Sequence, residues 1–105
     1  MTAKEYLYSL PEKVAPEALE GKETSFHFDI EGDGGGQFTV VLQDGKLTVE
    51  EGLNGSPKCE VKASNDNFLG VINKSLNPFM ALMTGKVKIS NQGELIKYAK
   101  VFGIM

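Results

Sequence analysis

The sequence predicts an α+β domain with a five-stranded, mainly antiparallel sheet and helices covering one face. From Thr24 to Ala63, apolar residues alternate with polar ones, which is the period of half-buried strands. Helical spacing occurs before and after this region, and a short alternation at Lys86–Ile89 adds a fifth strand. Because each strand has one apolar side, the helices are expected on that face. Residues 1–105 are expected to form a single domain, since a chain of this length supports one core.

The first half predicts a short helix and four strands. Ala3–Leu10 has amphipathic helical spacing, and Pro11 and Pro16 are expected to bracket an irregular turn. Four alternating segments follow, and Asp44-Gly45 is a strong hairpin signal between the second and third. We expect these strands to form an antiparallel meander with one apolar and one solvated face. Their inward residues are Phe26, Phe28, Ile30; Phe38, Val40, Leu42; Leu47, Val49; and Cys59, Val61, Ala63.

The second half predicts helices around the fifth strand. Ser64 or Asn65 is expected to cap a helix, and a last helix is expected to start at Gly93. The tail from Val101 to Met105 is strongly apolar, so we expect it to pack on the sheet or line a cavity. The helical stripes are Phe68, Leu69, Ile72 and Leu76 in the first helix, and Leu95, Ile96, Ala99 and Phe102 in the last.

Between these helices lies a short segment, Pro78–Met83, that carries no charge. Asn77 is a suitable N-cap, Pro78 suits the first helical position, and Gly85 suits the residue after a helix end. Apolar side chains cover most of its circumference, unlike those of an ordinary surface helix. The segment is therefore either buried core or a cover facing something apolar.

Composition excludes several classes of protein. The apolar fraction is 41% and the charged fraction 24%, as in ordinary globular domains. No apolar run approaches the roughly 20 residues of a membrane span, and Met1–Glu5 lacks a signal-peptide core. The net charge of -3 and the absence of arginine argue against a nucleic-acid partner. The single cysteine, Cys59, excludes an internal disulfide and suits a reducing cytoplasm, which is the expected location.

Charge is unevenly distributed along the chain. Residues 1–66 contain six lysines and thirteen acids, whereas residues 67–105 contain five lysines and one acid, Glu94. The basic part also contains the uncharged helix. This placement is either chance or the mark of a weakly cationic, apolar face that meets anionic membranes transiently.

No catalytic constellation is found in the sequence. His27, the single histidine, lies on the outward phase of its strand, and Cys59 lies on the inward phase as a small core thiol. The glycines at 32–36 join two strands, whereas phosphate-binding loops open a helix. We therefore expect a protein without enzymatic activity, cofactor or metal.

Flexible and aromatic apolar residues are concentrated in the final third of the chain. They form either a plain core, or the walls of a lipid-sized cavity between helices and sheet, or an interface. In the interface alternative, the uncharged helix and the C-terminal tail form a homodimer or subunit contact.

Several segments together resemble the sterol carrier protein type 2 (SCP-2) domain family in order and spacing, over essentially the whole chain. These segments are Leu10-Pro11-Glu12-Lys13-Val14, Phe28-Asp29-Ile30, Phe38-Thr39-Val40, Asp44-Gly45-Lys46, Asn77-Pro78 and Gly85-Lys86-Val87-Lys88-Ile89. The resemblance implies an apolar tunnel between helices and sheet. It also implies binding of sterols, fatty acids, fatty acyl-CoA or phospholipids, with lipid transfer between membranes in many members.

Two departures from the family pattern affect these expectations. Phe38 stands where many members have tryptophan, which changes pocket volume, and the C-terminus lacks the peroxisomal ending of animal members. A cytoplasmic monomer, rather than a dimer, is expected. The residues expected to line the lipid site are Phe28, Phe38, Phe68, Leu69, Ile72, Phe79, Met80, Leu82, Met83, Phe102, Ile104 and Met105.

Overall fold

A computed structural model describes residues 1–103 and confirms an α+β fold with five strands. No helix in this range is long and apolar enough to cross a membrane. The helices are α1 (Ala3–Lys13), α2 (Pro16–Leu19), α3 (Asn65–Ile72), α4 (Pro78–Met83) and α5 (Gln92–Lys97). The strands are β1 (Thr24–Glu31), β2 (Gly36–Gln43), β3 (Lys46–Glu51), β4 (Cys59–Ser64) and β5 (Val87–Ile89).

The strand order is β3-β2-β1-β4-β5, so the predicted simple meander is wrong at one position. β4 pairs with β1 in parallel, while the other three pairings are antiparallel, and the sheet is mixed but mainly antiparallel. Phe28 consequently lies between Phe38 on one side and Val61 on the other. The central strand of the sheet is thus the first one in the chain.

The loop between β3 and β4 explains this topology, because it crosses the outer face of the sheet. The Thr39 hydroxyl donates to the Gly52 carbonyl at 2.7 Å and accepts from the Asn54 N–H at 2.9 Å. His27 Nε2 then donates to the Asn54 carbonyl at 2.9 Å, before Lys58 reaches β1. The loop buries both His27 and Thr39, so the expectation that this face is solvated is wrong here. His27 is a buried histidine with a hydrogen-bond partner.

Helix α1 is longer than predicted. It begins with a capping box between Thr2 and Glu5, which satisfies the first free backbone donors. The expected break at Pro11 is wrong, because the helix continues to Lys13. Pro11 removes one donor, but the Val14 N–H still donates to the Leu10 carbonyl at 3.0 Å and closes the last turn.

The last helix is shorter than predicted. α5 ends at Lys97, and turns with i to i+3 hydrogen bonds follow, from Tyr98 N–H to Leu95 and from Ala99 N–H to Ile96. Within α5, Ile96 lies about 100° around the helix from the buried Leu95, which turns the Ile96 side chain toward solvent. Leu95 and Phe102 are buried as predicted, but Ile96 is 56% exposed, so its place in the inward stripe is wrong.

The final turns are connected to α1 by one buried hydrogen bond. The Tyr6 hydroxyl donates to the Phe102 carbonyl at 2.7 Å, and burial raises the pKa of Tyr6. Gly103 passes next to this hydroxyl with a φ of 72°, where a Cβ would collide with Tyr6 Oη. This contact holds the Phe102 ring against Phe26 and Phe28, with centroids 4.8 and 5.4 Å apart.

The Tyr6→Phe variant is expected to lower the free energy of unfolding by about 1–3 kcal/mol, because the buried Phe102 carbonyl loses its partner. Urea denaturation measures this change. Tyr8→Phe is the matched control, because Tyr8 is 40% exposed. This substitution should change the free energy of unfolding by less than about 0.5 kcal/mol. Equal stability of both variants would show that the Tyr6 hydrogen bond contributes nothing.

Candidate functional site

The uncharged helix α4 is closed at both ends by local hydrogen bonds. The Asn77 side-chain oxygen accepts from the N–H groups of Phe79 at 2.9 Å and Met80 at 3.2 Å, as predicted for an N-cap. At the other end, the Thr84 hydroxyl donates to the Met80 carbonyl at 2.7 Å. These bonds stabilise the short helix without requiring its side chains to be buried.

The side chains of α4 lie mostly outside the core. Ala81 is buried and Leu82 is half-buried, whereas Phe79, Met80 and Met83 are 62%, 56% and 81% exposed. Of the two alternatives for this helix, the structure therefore supports a cover.

A groove of about 70 Å³ separates α4 from α5. Phe79 and Leu82 of α4 face Leu95 and Ile96 of α5 across it, and Gln92 is the one polar residue in its wall. The complete lining is Pro78, Phe79, Leu82, Ile89, Gln92, Leu95, Ile96 and Ala99.

A second apolar space of about 40 Å³ lies deeper, between the sheet and α3. Pro78, Ile89 and Leu95 line both spaces, so these three side chains form the wall that divides groove from cavity. Lipid-sized pockets require about 300 Å³ or more, and both spaces are far smaller. A continuous tunnel stays a prediction. The complete lining of the cavity is Phe28, Val61, Phe68, Val71, Ile72, Pro78, Val87, Ile89 and Leu95.

The structure brings together five of the residues predicted for the lipid site. Phe28, Phe68 and Ile72 line the cavity, while Phe79 and Leu82 line the groove. The other predicted residues lie elsewhere: Phe38 and Phe102 in the core, Leu69 half-buried against it, Met80 and Met83 on the surface, and Ile104 and Met105 outside the described residues.

Several lining residues were not predicted as part of the site. Val61 was identified as inward-facing, and Val87 and Ile89 belong to the short alternation of the fifth strand, but alternation does not show which strands lie under which helices. Their role depends on the β4–β5 pairing, which places Val61 opposite Ile89 and Ala63 opposite Val87. Gln92 and Ile96 carried no sequence signal for this site.

The groups with catalytic potential are already engaged away from the groove. Cys59 is buried, its thiol contacts the Asn91 carbonyl at 3.4 Å, and burial raises its pKa. A raised pKa keeps the thiol protonated and a poor nucleophile. Among residues 1–103, no three histidine, cysteine or acidic side chains cluster as a metal site. The groove itself offers apolar contact and one amide.

Known proteins share both sequence and fold with this chain. It is 32% identical over 95 residues to hydroxysteroid dehydrogenase-like protein 2 of Xenopus tropicalis, covering 88% of this chain but only 22% of that protein. The solution structure of palmitated SCP2L2 from Aedes aegypti is 25% identical, with a TM-score of 0.74 over 97% of this chain and 95% of that one.

The fold also occurs within a larger enzyme. The inverting sec-alkylsulfatase Pisa1 from Pseudomonas sp. matches with a TM-score of 0.73 and 22% identity, over 91% of this chain and 15% of that one. The SCP-2 sterol transfer family model matches residues 3–103. The chain therefore belongs to the SCP-2 sterol transfer family.

Proposed function

We propose that residues 1–105 form one lipid-carrying domain, which binds a lipid through the groove between α4 and α5 without chemical conversion. The observation that supports this most directly is the groove's shared wall with the inner cavity. Displacement of Pro78, Ile89 and Leu95 would join two apolar spaces into one. An acyl chain placed there would gain about 25 cal/mol for each Å² of apolar surface buried.

Helix α4 is the element proposed to move. Its single buried side chain is Ala81, and the residue after Thr84 is Gly85 with a φ of 77°. Few buried contacts make a segment the first to open. Outward movement of α4 would carry Pro78 and Leu82 away from Ile89 and Leu95, and would admit a chain to the cavity floor at Val61 and Val87.

A long-chain fatty acid is the proposed probe ligand. The related protein from Aedes aegypti has been determined in palmitated form and matches nearly the full length of this chain. A flexible acyl chain also suits two narrow spaces better than a rigid ring system does. The competing ligands are sterols, fatty acyl-CoA and phospholipids. The proposed cellular role is lipid transfer between membranes in the cytoplasm, by transient contact of the protein with anionic bilayers.

Titration of the delipidated protein with a fluorescent fatty acid is expected to give saturable, 1:1 binding at micromolar concentration. The chain contains no tryptophan, so the emission of the probe can be followed without tryptophan background. Unlabelled palmitate should displace the probe, and cholesterol should be tested in parallel. Failure to saturate would overturn the proposal.

The alternative function is an interface module, in which α4 serves a homodimer or subunit contact. The groove beside α4 favours the lipid carrier, because a pure contact surface needs no second apolar cavity behind its wall. Native mass spectrometry separates the two. We expect a monomer that carries added lipid mass, whereas a ligand-free dimer would support the interface.

A further inference from the structure

One residue of the loop between β3 and β4 contacts three neighbouring strands. Glu50 lies opposite Thr39, and Thr39 lies opposite His27, so these residues form a row across the outer face of the sheet. Asn54 lies over this row. Its Nδ2 donates to Glu50 Oε2 at 3.3 Å, and its N–H donates to the Thr39 hydroxyl at 2.9 Å. Its carbonyl accepts from His27 Nε2 at 2.9 Å, so Asn54 is the main attachment of the loop to the row.

The residue that follows Asn54 is a glycine, and this is the one Asn-Gly pair in the chain. Both residues are exposed to water. Within residues 1–103, the Gly55 N–H donates no backbone hydrogen bond, and a Cβ on Gly55 would meet no other atom within 4 Å. The Gly55 nitrogen is therefore unhindered and is not held away from the Asn54 side chain by an acceptor.

We propose that Asn54 is a site of spontaneous deamidation, and that the reaction loosens the attachment of the loop to the outer face. The Gly55 nitrogen attacks Asn54 Cγ and closes a succinimide ring. The proton of that nitrogen and the Asn54 Nδ2 group leave together as ammonia. Water then opens the ring at either carbonyl and restores an N–H on Gly55. One opening gives aspartate, and the other gives isoaspartate, in which the backbone continues through the side-chain carbonyl.

Both products change the contacts at position 54. The Nδ2 group donates to Glu50 Oε2 and to the Glu51 carbonyl, and both hydrogen bonds are lost with it. In the aspartate product, the new carboxylate faces the carboxylate of Glu50, which forms no ion pair within residues 1–103. Like charges this close repel each other. In the isoaspartate product, one additional carbon in the backbone displaces the segment that leads to Lys58.

The other five asparagines are controls within the same molecule. Asn77 precedes Pro78, whose nitrogen carries no proton and cannot close the same ring. The remaining four precede residues whose side chains hinder the approach of the backbone nitrogen. These four are Asn65, Asn67, Asn73 and Asn91. Asn54 is therefore expected to react first.

Incubation of the purified protein in warm, mildly alkaline buffer tests the modification. Peptide mass spectrometry is expected to show the mass gain from replacing NH2 by OH in the peptide that contains Asn54, before any other asparagine reacts. In the Asn54→Gln variant this peptide should keep its mass, because the longer side chain closes a ring much more slowly. No gain at Asn54, or equal gains at the other asparagines, would overturn the proposed site.

The Asn54→Asp variant tests the effect on the loop, because it introduces the aspartate product directly. His27 is the single histidine of the chain and is 7% exposed, so its modification by diethyl pyrocarbonate reports on opening of the loop. The rate at His27 is expected to rise about fivefold or more, which is the factor given by the loss of one hydrogen bond of average strength.

Asn73→Asp is the matched control for this variant. It makes the same chemical change at another exposed asparagine. The Asn73 side-chain oxygen accepts from the Ser75 N–H at 3.0 Å, and a carboxylate can still accept that hydrogen bond. The rate at His27 should therefore stay unchanged in Asn73→Asp. An unchanged rate in Asn54→Asp, or an equal rise in both variants, would overturn the loosening of the loop.

Discussion

Replacement of Leu82 by aspartate is expected to weaken fatty-acid binding at least about tenfold, which corresponds to about 1.4 kcal/mol. Leu82 is half-buried and forms one side of the groove between α4 and α5. The variant would lose the apolar contact between the Leu82 side chain and the acyl chain. The new carboxylate would also lose its hydration when the lipid enters, which costs binding free energy. The fluorescent fatty-acid titration measures the change in Kd.

The matched control for this variant is Met83→Asp. It introduces the same charge on the last turn of the same helix, so the effect of the helix dipole is comparable. Met83 is 81% exposed and does not line the groove, so its Kd should remain within about twofold of the unchanged protein. Equal losses in both variants would show that the acyl chain does not enter between α4 and α5.

Replacement of Phe28 by alanine is expected to lower the free energy of unfolding by about 3–5 kcal/mol. Phe28 lies on the central strand and is fully buried, with ring contacts to Phe68 at 5.9 Å and Phe102 at 5.4 Å. Its loss leaves a void where β1, α3 and the C-terminal turns meet. Guanidinium denaturation, monitored by far-ultraviolet circular dichroism, measures the change.

Phe79→Ala is the control, since it removes the same side chain from a position that is 62% exposed. It should change the free energy of unfolding by less than about 0.5 kcal/mol. If Phe28→Ala lowered the free energy of unfolding no more than Phe79→Ala does, the assignment of Phe28 to the central core would be wrong. Phe79→Ala should instead weaken lipid binding, because Phe79 lines the groove.

Local patterns were sufficient to predict most elements of the fold. Alternation identified all five strands, and the Asn77-Pro78 pair identified the start of α4, because strands and caps depend on near neighbours. The break expected at Pro11 was wrong, because it was predicted from the local preference of proline alone. A proline disfavours a helix locally, but α1 is stabilised by the burial of Ala3, Tyr6, Leu7 and Leu10, which lie before it.

The candidate site could be predicted only in part. Phe28, Phe68 and Ile72 were recognisable as inward-facing, and Phe79 and Leu82 as members of an uncharged helix. Ile89 and Leu95, which separate the groove from the cavity, could not be assigned. Their position depends on the pairing between β4 and β5 and on the packing of α5 against β4, and these are contacts between residues far apart in the sequence.

The sequence by itself determined the fold class, the family, and the uncharged helix on which the functional proposal depends. Each of these follows from the order and spacing of residues along the chain. Tertiary structure alone decided that α4 is a cover, that β4 lies beside β1, and that His27 is buried. Burial is set by what packs on a side chain, and here the packing partners are Asn54 for His27 and the neighbouring strand and helices for Ala81. Asn54 is 27 residues from His27, and the elements that cover Ala81 lie outside its own helix, so no local pattern identifies these partners.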